Sequence, residues 1–105
     1  MVSNQPYSEQ FRIIGKRWNE ADAEASLLEE LKSATLSQMM LKHGDIPVSR
    51  AEMLSKASAE WTDYVTTMVN CRKSANDLKL QLEHIRMKDR EKSSDEATRR
   101  AEMRL

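Results

Sequence analysis

Glycine and proline are scarce in this 105-residue chain, which holds only two of each. Both residues favour turns and weaken helix interiors, so a fold with many tight turns, such as a β-sandwich, is not expected. The common residues are instead Ala, Leu, Glu, Lys, Arg and Met, which lose little free energy on entering a helix. We therefore predict an all-α fold with two or three long elements.

Cysteine and long apolar runs are also in short supply. Cys71 is the single cysteine, so no intramolecular disulfide is expected. No segment approaches the ~20 apolar residues that a membrane span requires. The first ten residues lack the basic start and apolar run of a signal peptide. These absences predict a cytoplasmic protein without a membrane partner.

Neither sign of charge predominates, since 17 basic side chains balance 17 acidic ones. From Arg72 to Leu105, ten Lys or Arg stand against seven acidic residues, which leaves a small basic excess. Interleaved charges of this kind usually mark a solvated helix face, and DNA-binding proteins generally carry a stronger imbalance. Nucleic-acid binding therefore stays open but is not favoured.

Motifs for catalysis or metal binding are missing as well. His43 falls in a predicted turn, and His84 has no ligand four residues away on either side, so we expect no metal site. Glu20 and Glu24 are a carboxylate pair at helical spacing, but no histidine or third acid is in register with them. Cys71 lies on an apolar stripe, where a thiol packs as a small hydrophobe. We expect a protein that is not an enzyme and binds no cofactor.

The strongest pattern that is present is a stripe of apolar or amphipathic residues in the second half of the chain. Steps of three and four residues connect Leu54, Ala57, Trp61, Tyr64, Met68, Cys71, Ala75, Leu78, Leu82 and Ile85. This seven-residue repeat places all ten on one face of a long helix, and such a face requires a partner. Beyond Ile85 the repeat falls on charged residues, so the stripe ends there.

A matching stripe occupies the first half of the chain. It consists of Phe11, Ile14, Trp18, Ala21, Ala25 and Leu28. Lys32 and Thr35 interrupt it. Because a helix repeats every 3.6 residues and not every 3.5, we expect the apolar face to drift to a neighbouring strip. That strip consists of Leu27, Leu31, Ala34 and Leu36.

A short break separates the two stripes. Gly44 can adopt the left-handed conformation that ends a helix, and Pro47 follows where it no longer interrupts helical hydrogen bonds. Ser49 and Glu52 match the capping box that starts a helix, and Ser8 is the predicted N-cap of the first helix. Helices joined by so short a turn must run antiparallel.

These signals predict a long antiparallel helical hairpin with a C-terminal helical extension, all in one domain. The predicted boundaries are a loose tail at 1-7, helices at 8-43 and 50-92, a turn at 44-49 and the extension at 94-105. In this register Trp18 lies opposite Leu78, and Phe11 lies near Ile85. The extension either continues the long helix or turns at Ser93, where a second capping box begins; both alternatives stay open.

A second apolar strip on the later helix lies off the main stripe. It consists of Val65, Val69, Leu80 and Met87, and a smaller apolar edge follows at Ala97, Ala101 and Leu105. A two-helix hairpin has nothing to cover these residues, so we predict that they form a partner or oligomer interface. The alternative is that they are isolated exposed apolar side chains, which are common on protein surfaces.

Three functions remain open on these patterns. The favoured one is a homo-oligomer, assembled as a helical bundle, that binds another protein. The second is an accessory protein that binds nucleic acid through the basic residues Arg86, Arg90, Arg99, Arg100 and Arg104, in which case binding should weaken steeply with salt. The third is a structural spacer or adaptor in a particle.

The closing run from Glu96 to Leu105, preceded by a long helix with Trp61 and Tyr64, resembles the ends of small helical proteins of bacteriophages and prophages. The resemblance covers the last third of the chain. It implies a bacterial host and either an accessory role in DNA metabolism or interference with a host nuclease. It carries over no functional residue, because that group of proteins has no motif with an assigned role.

Overall fold

Four α-helices account for most of the residues that the computed structural model describes, which are residues 5–104. They are α1 (Tyr7–Glu30), α2 (Lys32–Leu41), α3 (Val48–Lys56) and α4 (Ala59–Met103). No strand occurs within 5–104, so the all-α prediction is confirmed. Of the predicted tail at 1-7, residues 1–4 lie outside the described residues, as does Leu105, and Tyr7 already belongs to α1.

The chain consists of two compact units. The terminal unit holds residues up to Glu20 together with those from Asn76 onward, and the central unit holds Ala21–Ala75. Both α1 and α4 contribute residues to each unit, whereas α2 and α3 belong to the central unit alone. The prediction of one domain over residues 1-105 stays a prediction.

In the terminal unit the start of α1 runs antiparallel to the second half of α4. Its core is a cluster of three buried side chains, Ile14, Leu82 and Ile85, against which Tyr7, Trp18 and Leu78 pack. Phe11 lines one groove with Ile85, and Trp18 lines another with Leu82. Earlier α1 residues therefore meet later α4 residues, which confirms the antiparallel register expected from the two stripes.

In the central unit the end of α1 runs antiparallel to the start of α4. Ala25 and Ala75 are fully buried, and Trp61 is buried beside the half-buried Tyr64, with the two rings stacked 5.8 Å apart. The Tyr64 hydroxyl donates a hydrogen bond of 2.5 Å to the carbonyl oxygen of Leu28. From Trp61 to Ile85 every predicted stripe position on α4 is buried or half-buried, as the seven-residue repeat requires.

The first predicted helix, 8-43, is in fact two helices divided at Leu31. Leu28 is among the last four residues of α1, and the carbonyls at the end of a helix lack an intrahelical amide partner. The Tyr64 hydroxyl donates a hydrogen bond to the Leu28 carbonyl in place of that amide. The expected drift of the apolar face is wrong. Three of the four strip residues, Leu27, Leu31 and Ala34, are exposed, and Leu36 is half-buried. Of the original repeat, Lys32 is exposed, Thr35 is half-buried and Met39 is buried. The original repeat therefore continues into α2, because a threonine fits a partly buried position.

The loop between α2 and α3 contains the predicted turn, and Gly44 has a φ of 77°, as a left-handed helix end requires. The predicted cap is wrong. Pro47 is the N-cap of α3 and no side chain caps the helix, so Ser49 lies one residue inside it. Ser8 likewise lies inside α1, which begins at Tyr7. Proline fixes its own φ for a helix start, and this local constraint outweighs the serine signal.

The second predicted helix, 50-92, is divided between Lys56 and Ala59. Ser58 causes the division: its Oγ accepts a hydrogen bond of 3.2 Å from the Trp61 amide and donates one of 2.6 Å to the Ser55 carbonyl. Ser58 is thus the N-cap of α4. The break also shifts the buried face of α3, so Ala51 and Ser55 are buried, whereas the stripe positions Leu54 and Ala57 are exposed.

The extension predicted at 94-105 is not a separate element. α4 continues without interruption through Ser93 to Met103, which resolves the two open alternatives in favour of one long helix. A helix of about a dozen residues is marginal in water by itself, but a segment that continues an existing helix does not need a new nucleus.

Two serines three residues apart provide a test of this local structure. The Ser55 hydroxyl is buried without a hydrogen-bond partner, and Ser58 caps α4. Ser55→Ala should raise the free energy of unfolding by roughly 1 kcal/mol, because it removes an unpaired buried hydroxyl and substitutes a better helix former. Ser58→Ala should lower it by roughly 1 kcal/mol through loss of the cap. Urea unfolding followed by circular dichroism measures both, and a loss of stability in Ser55→Ala would contradict the assignment.

Candidate functional site

The predicted apolar interface residues fall in both units. In the central unit Val65 is half-buried and Val69 is 55% exposed. In the terminal unit Leu80 is 62% exposed and Met87 is 56% exposed, seven residues apart on α4. Ala97 and Ala101 are exposed as well, and Leu105 lies outside the described residues. The terminal unit therefore contains the larger group of uncovered interface candidates.

Leu80 and Met87 lie on the side of α4 that faces away from the core of the terminal unit. Leu80 is two residues from both Leu78 and Leu82, and at ~100° per residue this separates their side chains by roughly 160° around the helix. Met87 has the same relation to Ile85. Because α1 occupies the side of Leu82 and Ile85, it cannot cover Leu80 or Met87.

Other exposed apolar residues lie in the central unit, and the sequence patterns did not single them out as an interface. Leu27 is 57% exposed on α1, and Leu41, Val48 and Met53 are 80%, 71% and 62% exposed on α2 and α3. Three of them lie within thirteen residues around the α2–α3 loop. These residues lie off the long repeat, so a prediction that followed the repeat did not identify them as an interface.

The most connected polar group in the structure is Arg72, which the sequence patterns did not single out. Its guanidinium binds Glu29 through two hydrogen bonds, from Nε at 2.9 Å and from Nη2 at 2.8 Å. Nη1 donates to Asp22 at 2.6 Å, and Nη2 also donates to Ser26 at 3.1 Å. This paired, fork-like geometry is the form of ion pair in which arginine is most effective.

The Arg72 network links α4 to α1 within the central unit. Hydrogen bonding to Arg72 lowers the pKa of Glu29 below its ordinary value, and hydrogen bonding to Glu29 and then to Asp22 raises the pKa of Arg72. A signal in the sequence could have identified the network. Asp22, Ser26 and Glu29 follow the same steps of four and three as the apolar stripe, displaced by one residue. The pattern is a polar flank of the helix pair, and its role is structural.

Two cations lie over aromatic rings in the terminal unit. The Arg86 guanidinium is 5.4 Å from the centroid of the Phe11 ring, and the Lys92 ammonium is 5.8 Å from the Tyr7 ring. Phe11 is 37% exposed and lines two open grooves of about 490 and 340 Å³, both of which also contain Arg86. Aromatic and cationic surface thus meet beside α4 at the point where the apolar stripe ends.

The five arginines proposed for nucleic-acid contact are all exposed on or directly after α4. Within residues 5–104, no ion pair joins any of these arginines to an acidic side chain. Instead, Arg100 Nε donates to the carbonyl oxygen of Glu96 at 3.4 Å. The charges of the five arginines are therefore available to a partner.

The remaining candidate groups do not assemble into a chemical site. Cys71, a stripe position, is half-buried and borders a small groove with Glu24 and Asn70. His43 and His84 are exposed. Over residues 5–104, no group of three His, Cys, Asp or Glu side chains is placed to hold a metal ion.

The class that the fold defines is an all-α protein whose helices pair antiparallel. None of the helices within 5–104 is both long enough and apolar enough to cross a bilayer. Comparison of the chain with protein-family models, curated proteins and solved structures finds no match.

The Arg72 network predicts a specific dependence of stability on pH. Arg72→Met should destabilise the fold at pH 7, and the difference from wild type should shrink as the pH falls below about 4, where carboxylates are protonated. The direction of this pH dependence follows from Glu29, whose pKa is lowered in the folded state. Its contribution to the free energy of unfolding is therefore present above the pKa of the unfolded state and is lost as the pH falls through the pKa of the folded state. Thermal unfolding between pH 7 and pH 3 measures the effect.

Lys73→Met is the matched control, because Lys73 is exposed and forms no ion pair within residues 5–104. It removes the same charge from the adjacent position and should leave stability nearly unchanged at every pH. Equal effects of the two variants would show that the network does not stabilise the fold.

Proposed function

We propose that the protein is a non-enzymatic helical interaction module, which self-associates and as an oligomer binds another protein. The observation that supports this proposal best is the exposure of Leu80 and Met87 at seven-residue spacing on the side of α4 that α1 leaves uncovered. Seven-residue spacing of apolar residues is the pattern by which helices pair. Val69, in the central unit, is a further exposed apolar residue of the predicted interface.

The size of this surface sets the expected affinity. Covering the exposed half of a Leu or Met side chain contributes roughly 1 kcal/mol. A symmetric pair of copies would cover four such side chains and gain roughly 4 kcal/mol, close to the smallest estimates for the translational and rotational freedom lost on association. Leu80 and Met87 alone therefore only offset this cost, and Ala101, which lies roughly 40° from Met87 around the helix, would have to add to the contact.

The setting that we propose is the cytoplasm of a bacterial host, with a phage or prophage as the source of the chain. This part of the proposal is supported by the likeness of the closing run to the ends of small phage helical proteins. In that setting the bound protein would be a host factor or another phage protein.

Substitution of the two central side chains tests self-association. The double variant Leu80→Glu/Met87→Glu places like charges at the proposed contact, and these oppose association directly. We expect wild type to change from monomer to oligomer between roughly 10 µM and 1 mM, a range of weak association energies. The double variant should remain monomeric throughout. Sedimentation equilibrium measures the mass of each form.

The matched control is Leu27→Glu/Met53→Glu, which makes the same two chemical changes at similarly exposed positions in the central unit. It should associate as wild type does. A monomeric wild type over the whole range would refute self-association, and equal loss in both double variants would refute the assignment to Leu80 and Met87. A single large assembly of fixed size would favour the spacer or adaptor function.

A further inference from the structure

No residue in the last part of α4 is buried. Every residue from Arg86 to Arg104 is exposed, and two rings of α1 meet this segment, Phe11 at Arg86 and Tyr7 at Lys92. Beyond Lys92 the helix continues to Met103 with every residue exposed. What such a segment can bind is decided by how its charges are arranged around the axis.

The arginines are arranged on one side. At ~100° per residue, Arg90 and Arg100 lie roughly 40° on either side of Arg86, so the three form a stripe that is about 21 Å long. Arg104 comes directly after the helix. Ser93 and Ala97 fill the stripe between the arginines, and both are small enough to let a chain approach the helix closely. Arg99 is different, because it lies roughly 140° away from Arg86.

The acidic residues are arranged elsewhere. Glu91, Asp95 and Glu102 are on the side opposite the arginine stripe, roughly 140° to 180° from Arg86. Asp89 and Glu96 border one edge of the stripe at roughly 60° to 80°. Beyond Arg86 the other edge carries Ser94, Ala101 and Met87, which are uncharged, whereas Glu83 lies on this edge before Arg86, in the groove beside Phe11. The segment is close to neutral in total, yet it presents a stripe of positive charge with one neutral edge.

An aromatic ring lies at the start of this stripe. Phe11 is beside Arg86, with the guanidinium 5.4 Å from the ring centroid, and the ring is 37% exposed beside an open groove. Arginine guanidinium groups bind phosphate oxygens through two parallel hydrogen bonds. Surfaces that bind single-stranded nucleic acid combine such cations with an aromatic side chain on which a base stacks.

We propose that the arginine stripe of α4 binds the phosphates of single-stranded nucleic acid, with one base stacked on Phe11. A single strand is favoured over a duplex because the acidic edge formed by Asp89 and Glu96 would repel a second strand, whereas the bases of one strand can lie over the neutral edge. Recognition through phosphates and one stacked base is independent of sequence. This inference does not depend on self-association, although Met87 borders both surfaces.

Fluorescence anisotropy of a labelled single-stranded DNA tests the inference. Wild type should bind with log K falling against log[salt] with a slope of about −2 to −3, as three or four phosphate contacts require. The triple variant Arg86→Gln/Arg90→Gln/Arg100→Gln should lose binding. Phe11→Leu should weaken binding about tenfold and leave the salt slope unchanged, because stacking releases no counterions.

The matched control is Lys88→Gln/Lys92→Gln/Arg99→Gln, which removes the same charge from the other sides of the same helix. It should bind as wild type does, with circular dichroism confirming equal helix content in all variants. Equal loss in both triple variants would mean that net charge and not the stripe causes binding, and would overturn the inference. Absence of binding by wild type at low salt, or stronger competition by a duplex of the same sequence, would also overturn it.

Discussion

The seven-residue repeat that α4 presents to α1 is the constraint on which the rest of the structure depends. Neither helix has an apolar face elsewhere that is as continuous, and a long polar helix gains little stability without a packed partner. In the central unit the repeat buries Trp61 and Ala75, and in the terminal unit it buries Leu82 and Ile85. In the central unit, Arg72 also contributes to this pairing. Its guanidinium binds Asp22 and Glu29, and these ion pairs hold the first part of α4 at one position along the end of α1.

The end of the repeat explains where the surface is available for function. After Ile85 the repeat falls on Asp89 and Lys92, which line an open groove with Tyr7 at the start of α1 and are not buried, because burying such charges without partners costs more than it gains. α4 then continues to Met103 with every residue exposed. The same change in pattern leaves apolar residues on one side of this region and arginines on another. Both proposals concern this end of α4, and their surfaces are adjacent on one helix, because Met87 and Ala101 border both.

Helical fold, antiparallel pairing and the buried side of α4 could be predicted from the sequence, because periodicity reports directly on which side of a helix is buried. The two helix divisions were obscured for different reasons. The Ser58 cap is local, but the apolar repeat runs through Ala57 to Trp61 and favours a continuous helix there. The Tyr64 bond to the Leu28 carbonyl joins residues 36 apart in the chain, which meet only once the chain is folded. The Arg72 network was missed for a similar reason, since its partners lie more than forty residues away in the chain. At the candidate site, spacing identified the exposed residues, while the grouping of Arg86 with Phe11 required tertiary structure.

The central claim is that α4 is held by α1 only along its repeat and is uncovered beyond it. Amide hydrogen exchange measured by mass spectrometry in dilute solution tests this directly, because exchange reports local opening along a single helix. The account predicts strong protection from Trp61 to Ile85 and exchange that is faster by orders of magnitude from Ser93 to Met103. Uniform protection over the whole of α4 would contradict it, because the last segment would then have a partner that this structure does not contain.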